Sequence, residues 1–328
     1  MNKRVIVYVL GAVLLIEAAL MLLPLLVAVI YREKNGWYFL WVLLGAAVLG
    51  ALALGLGGRK RSAMYAKEGL IAVALSWIVL SLVGALPFTL SGQIPFYLDA
   101  VFEMISGFTT TGSSILPNVE ALSRCMLLWR SFSHWLGGMG ILVFMLAIVK
   151  MEGGQGIHLL RAESPGPTVG KMVPRMVDSS KILYTIYFAL TLVQVVFYLA
   201  GGMPLFDSLC NAFATAGTGG FSIKADSFAS YSPYLQTVTT VFMALFGVNF
   251  SIYFFLLQKK FDLAFKNTEL RWYVGIILFS IAMITANILP MYPDFHTAIH
   301  HAAFSVSSVI TTTGFGTENF DLWPEFSR

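Results

Sequence analysis

Charge is scarce in this sequence. Only 12% of its 328 residues are Asp, Glu, Lys or Arg, against 57% that are hydrophobic, where a soluble domain carries roughly 25% charge. That shortage excludes an ordinary soluble enzyme or binding module and indicates an all-α integral membrane protein. Cysteine is nearly missing as well. Cys125 and Cys210 lie far apart in apolar surroundings, so there is no disulfide framework or cysteine metal site, and both read as buried inert thiols. No small-residue cleavage site follows the first apolar block, which is also too long for a cleavable signal. No strand–loop–helix context exists for a phosphate loop, so "GLGG" and "LGGMG" read as small residues for close helix packing.

What is abundant is apolar sequence in blocks of about 20 residues, the length that crosses ~30 Å of hydrocarbon. Such blocks run over Val5–Tyr31, Tyr38–Leu56, Leu70–Leu90, Cys125–Val149, Ile182–Gly201, Leu235–Leu257 and Val274–Leu289. The net charge of +4 reports topology and not nucleic-acid affinity. Lys3 and Arg4, then Arg59, Lys60, Arg61 and Lys67, then Lys150 to Lys181, then Lys259, Lys260, Lys266 and Arg271 mark four loops as cytoplasmic. With the N-terminus inside, all seven blocks then alternate consistently.

One short polar motif recurs. Placing Gly112, Gly220 and Gly314 in register aligns "DAVFEMISGFTTTGSSI", "DSLCNAFATAGTGGFSI" and "IHHAAFSVSSVITTTGFGT". Thr109, Thr110, Thr111 and Gly112 match Thr311, Thr312, Thr313 and Gly314, and Gly217, Thr218, Gly219 and Gly220 form a looser middle copy. Asp99 and Asp207 stand thirteen positions before their glycines, where the third copy has His301. Each copy follows a long span and a lead-in of about ten apolar residues, too short to cross a bilayer and therefore re-entrant. Irregular backbone at membrane depth must be buried in protein or line a watery cavity. Backbone carbonyls of a Thr-Thr-Thr-Gly strand can replace an ion's hydration shell, and glycine allows the torsions that aim them. A half-helix entering from outside, with Asp99 or Asp207 at its positive end, directs its negative end at the ion and favours cations. One copy would read as a hairpin turn; three in matching contexts read as walls of a cation filter.

Four ionisable groups lie at apparent membrane depth, where they are costly: Glu17, Glu103, Arg130 and His134. Glu103, nine positions before Gly112, either holds the loop through its backbone amides or adds negative field, the first being favoured because conduction needs modest binding. Arg130 and His134 share a helix face and read as an interfacial anchor or a helix–helix hydrogen bond. His296 and His300 have the spacing of a metal pair, but no further ligand joins them and His301, so capping and interface bonding is preferred. A membrane redox or metal enzyme would have to rest on these lone histidines, and no convergent polar groups support it. Trp37, Trp41, Trp129, Trp135, Trp272 and Trp323 fall near block ends, as an aromatic belt would place them.

The three loops, together with "WRSFSHWLGGMGILVF" and "AESPGPTVGKMVPR", resemble the Trk/Ktr/HKT potassium-transporter superfamily and, within it, the bacterial TrkH branch. The resemblance spans essentially the whole chain. It implies two N-terminal spans followed by repeated span–pore-helix–filter-loop–span units with pseudo-fourfold, potassium-channel-like symmetry. The regions become 1–67 for the two-span start, 68–150 for the first pore unit, 151–180 for a cytoplasmic loop, 181–258 for the second unit and 259–328 for an incomplete third. Carried over, the filter positions are Thr109, Thr110, Thr111, Gly112 and Ser113; Thr218, Gly219, Gly220 and Phe221; and Thr311, Thr312, Thr313, Gly314 and Phe315. Potassium would sit at Thr110, Thr111, Thr218, Gly219, Thr312 and Thr313, with Glu103, Asp99 and Asp207 as support. In relatives a serine in the first loop accompanies sodium transport, so Gly112 favours potassium as the cargo, with no organic cofactor. The resemblance further implies a homodimer in lipid, in the bacterial inner membrane, with a TrkA-like nucleotide-binding ring docking on the 151–180 loop. Glycine spacings of 108 and 94 residues place a fourth loop roughly a hundred residues past Gly314, beyond Arg328. The expectation is therefore a fragment of a transporter, favoured over a natural short form that needs a second polypeptide, with a non-conducting truncated fragment or assembly partner as the alternative function.

Overall fold

In hydrocarbon only a helix satisfies all its backbone groups within one segment, so long apolar blocks become helices. A computed structural model of the chain describes residues 3–57, 66–140 and 176–328, and its regular structure over those residues is helical. It forms two compact units, Met1–Thr185 and Ile186–Arg328. Among the described residues, five helical spans are long and apolar enough to cross a membrane.

In the first unit, α1 (Lys3–Leu20) and α2 (Leu22–Ile30) make one span, α3 (Gly36–Gly57) returns, and α4 (Ala66–Leu90) follows. α1 lies along α3 and α4. A Cβ on Gly11 would stand 2.8 Å from the Gly50 carbonyl oxygen, and one on Gly50 2.9 Å from that of Gly11, the close approach by which small residues join membrane helices. α5 (Tyr97–Phe108) then packs on α4, and α6 (Arg124–Gly138) on α5. The start of α6 is capped from a distance: Glu33, just past α2, accepts hydrogen bonds from the Arg124 and Cys125 amides at 2.8 and 3.0 Å. The first two spans therefore brace the helix that follows the first loop. The expected continuation of that helix to Val149, the Arg59–Arg61 cluster and nearly all of the 151–180 loop lie outside the described residues.

The second unit follows α7 (Met176–Ala200) with α8 (Leu205–Ala216), α9 (Pro233–Phe246), α10 (Phe250–Leu257), α11 (Phe261–Phe265), α12 (Thr268–Ile288) and α13 (Phe295–Ile310). α13 packs against α9 and α12. Two expectations need correction. The block Leu235–Leu257 is not one straight span, because α9 and α10 meet at 87°. The carbonyls freed at the end of α9 are taken by tyrosines: Tyr273 donates to Ala244 at 2.9 Å and Tyr253 to Leu245 at 2.6 Å. Asn249 caps the start of α10 through the Ser251 amide at 3.0 Å, so the break leaves little backbone unsatisfied. The aromatic belt is also only half right. Trp37, Trp41 and Trp272 are exposed, whereas Trp129, Trp135 and Trp323 are buried. Trp129 donates its indole N–H to Gly84 at 3.0 Å and Trp323 to the Tyr292 hydroxyl at 3.1 Å, which lets an amphipathic ring sit inside the protein.

Candidate functional site

The three motifs share one backbone. α5, α8 and α13 each end in a residue of ordinary helical sign, Thr109 (φ −83°), Gly217 (−74°) and Thr311 (−91°). The next residue is left-handed in every copy: Thr110 (φ 54°), Thr218 (51°) and Thr312 (57°). Two positions later so is the glycine, Gly112 (78°), Gly220 (77°) and Gly314 (82°). A β-branched residue at positive φ is a genuine outlier, costing roughly 1–3 kcal/mol, and such outliers persist only where the surroundings impose them. Here the helix end imposes them. The Thr110 amide donates to Gly107 at 3.1 Å and the Thr111 amide to Ser106 at 2.9 Å; Thr218 and Gly219 do the same to Thr215 and Ala214, and Thr312 and Thr313 to Val309 and Ser308. This is the Schellman pairing, with threonine where glycine is usual.

The pairing has a chemical consequence. Loop N–H groups are turned back onto the helix, while among the described residues no protein donor reaches the carbonyls of Thr110, Thr111, Gly112, Thr312 or Thr313. Alternating φ sign turns successive peptide N–H groups to one side, here toward the helix end. Hydroxyls reinforce the first and third loops: Thr109 Oγ1 donates to Ile105 at 2.7 Å and meets Thr111 Oγ1 at 2.8 Å. Thr311 likewise donates to Ser307 at 2.6 Å and meets Thr313 at 2.8 Å. The 12-residue α5 and α8 are about 18 Å long at 1.5 Å per residue, too short to cross a bilayer. The arrangement leaves carbonyls of the first and third loops without protein donors, among the described residues, beside the negative ends of half-helices.

Behind the first loop, Glu103 is fully buried. It accepts from the Ser114 hydroxyl at 2.9 Å and the Ile115 amide at 3.0 Å, on the strand leaving the loop. Arg130 Nε pairs with the same carboxylate at 2.5 Å, and His134 Nδ1 lies 2.9 Å from the Gly107 carbonyl. Arg130 and His134 thus bond helix to helix and are buried, away from the interface that the sequence offered as an alternative. Asp99 and Asp207 stand in the first turns of α5 and α8.

In the second unit the second and third loops touch. A Cβ on Gly220 would overlap the Thr313 carbonyl oxygen, whereas one on Gly314 would meet nothing within 4 Å. Gly247, at the break after α9, faces the Thr311 methyl and the Tyr273 hydroxyl. Gly137 has the corresponding intimacy in the first unit, facing the Phe108 carbonyl and Thr110. Reading "LGGMG" as helix packing missed that the surface packed against is the loop itself.

The third half-helix was misplaced by its alignment. α13 starts at Phe295, and its cap is Asp294, whose Oδ1 accepts from the Thr297 amide at 2.7 Å. That amide, and then the Thr297 hydroxyl, hold the Asp294 carboxyl below the ordinary aspartate range. An aspartate three residues before a threonine at the head of an apolar run was the available signal. His300 and His301 lie past the first turn and are engaged. His300 Nε2 is 2.7 Å from Gln236 Oε1, and His301 Nδ1 is 3.1 Å from Thr317 Oγ1, with its ring stacked on Tyr292.

Glu17 differs from the other ionisable groups. It is fully buried against Gly84, and neither carboxyl oxygen has a hydrogen-bond partner among the described residues. Burying a polar group unpaired costs free energy, so Glu17→Leu is expected to leave the thermal midpoint of the purified protein unchanged or higher. A drop of more than about 5 °C, the scale of 1–2 kcal/mol, would show that the carboxyl supports the fold.

The TrkH family model, described as a cation transport protein, matches residues 46–327. The chain is 34% identical over 332 residues to the Trk system potassium uptake protein TrkH of Salmonella typhimurium, covering 99% of this chain and 69% of that one. It is 30% identical over 329 residues to the Trk system potassium uptake protein TrkG of Escherichia coli, covering 98% and 68%. It also superposes on the crystal structure of the potassium transporter TrkH from Vibrio parahaemolyticus with a TM-score of 0.86, at 30% identity, over 100% of this chain and 68% of that chain.

Proposed function

The chain belongs to the TrkH family of cation transport proteins, and on that premise we propose that it carries potassium through a pathway walled by its threonine–glycine loops. It is a multi-pass membrane transporter and not an enzyme. The observation that carries the assignment of the pathway is the threefold recurrence of a left-handed threonine followed, two residues on, by a left-handed glycine. A turn needed only to reverse the chain has no reason to repeat that strain.

In this reading carbonyls of Thr110, Thr111, Thr218, Gly219, Thr312 and Thr313 take the place of potassium's hydration shell. Gly112, Gly220 and Gly314 supply the torsions, while Ser113, Phe221 and Phe315 lead out of the loops. Glu103 is a positioning residue: its bonds to Ser114 and Ile115 hold the exit of the first loop, and Arg130 neutralises its charge. Asp99 and Asp207, joined by Asp294, favour the helix starts. The N-terminus and the basic loops lie on the cytoplasmic side of a bacterial inner membrane, the filter loops open outward, and the protein works as a homodimer. A cytosolic nucleotide-binding ring docks on the 151–180 loop.

Gly112→Ser in the intact transport system tests the pathway. Serine resists φ near 78°, so the preference for potassium over sodium is expected to fall while some flux remains. An unchanged flux ratio, with potassium-dependent growth as in the parent, would remove Gly112 from the filter.

A further inference from the structure

The second loop lacks a device that the other two share. Gly217 and Gly219 stand where the first and third loops have Thr109 and Thr111, or Thr311 and Thr313, so the hydroxyl tie across the loop cannot form. Yet this loop makes the tightest contact of the site, Gly220 against the Thr313 carbonyl. Its spacing must be fixed from elsewhere.

The segment leaving it folds back on the exit of the third loop. At Ser227 the chain is left-handed, φ 57°, and the Ser227 hydroxyl accepts a hydrogen bond from the Gly316 amide at 3.1 Å, 89 residues along the chain. The next residue returns the bond: the Phe228 amide donates to the Gly316 carbonyl at 2.9 Å. The Phe228 ring is fully buried, edge-on to Phe315 at 4.7 Å and tilted against Phe304 at 5.9 Å. Phe315 directly follows the filter glycine Gly314, so the fastening grips the third loop within two residues of it.

We propose that Ser227 and Phe228 form a clasp that sets the gap between the second and third filter walls, and with it the discrimination between potassium and smaller cations. The inference rests on the loops being the potassium pathway. Carbonyl spacing is what separates ions differing in radius by a few tenths of an ångström, whether through fit or through the field of the dipoles. A wall with no tie of its own transmits any slack in the clasp directly to that spacing. The strained Ser227 is explained by the same role, since the left-handed turn brings its hydroxyl and the following amide onto one residue, Gly316.

The test measures potassium and sodium uptake by the intact transport system. Ser227→Ala, which deletes one hydrogen bond, is expected to assemble at parental levels and lower the potassium-to-sodium ratio about three- to tenfold, the scale of one such bond. Phe228→Leu should lower it at least as far. Lys224→Ala lies in the same segment, but its side chain is engaged with Ser230 and Tyr231, and it should keep the parental ratio. A parental ratio in Ser227→Ala, or an equal loss in Lys224→Ala, overturns the clasp. Should Phe228→Leu fail to fold, the ratio in Ser227→Ala alone decides. An absence of potassium uptake by the parent would instead count against the pathway on which the clasp rests.

Discussion

Gly220→Ala is expected to abolish potassium uptake, while Gly314→Ala, the same substitution at the aligned position, should only weaken it. Both glycines are left-handed, at 77° and 82°, so both variants bear the same conformational cost, roughly 1–2 kcal/mol for an L-residue there. The difference lies in what surrounds them. The added methyl at Gly220 would overlap the Thr313 oxygen, a backbone atom, and at Gly314 it meets open space. Such an overlap cannot be absorbed by a side-chain rotation; the second or third loop must move, and Thr313 carries one of the carbonyls proposed to line the pathway. Initial rates of potassium uptake, measured at matched protein levels, distinguish the two. Equal loss in both variants would mean that backbone torsion alone matters and that the contact between the loops does not.

That asymmetry was not legible in the sequence, where the three glycines look alike. The repeat itself was legible because two residue types carry it: glycine marks a backbone most side chains resist, and the flanking polar run interrupts a chain of hydrocarbon. The left-handed threonine two steps earlier was invisible, since no propensity places a β-branched residue there and only the Schellman pairing at the helix end requires it. The break at Gly247 was hidden for another reason. Leu235–Leu257 is apolar through most of its second half, and beside Asn249 and Tyr253 within the block the bend is stabilised by Tyr273, distant in sequence. Asp294 was missed because fixing the register on Gly314 led to His301 as the counterpart of Asp99, although α13 has 16 residues and α5 has 12. Three of the six tryptophans assigned to the belt misled because a ring near a block end can as well turn inward, given a carbonyl such as that of Gly84. Local chemistry was readable, and long-range partners were not.

The largest loss of stability is expected from Arg130→Met. Arg130 and Glu103 are both buried and face each other at hydrogen-bond distance. Removing the cation leaves a carboxylate inside the protein with its compensating charge gone, which costs about 3–5 kcal/mol, a large share of a typical protein's stability. Because that carboxylate also holds Ser114 and Ile115, the damage reaches the exit of the first loop. The pair is not required as a pair, however. Arg130→Met combined with Glu103→Gln removes both charges, and the glutamine amide oxygen can still accept from the Ile115 amide. The double variant should therefore recover much of the folded yield and thermal midpoint lost in Arg130→Met, a coupling readable in a double-mutant cycle. Recovery of potassium uptake along with stability would show that Glu103 acts by holding the loop, whereas recovery of stability without uptake would assign its charge a direct part in attracting the ion. A single Arg130→Met variant as stable as the parent would sink the premise that the buried pair is what secures this wall.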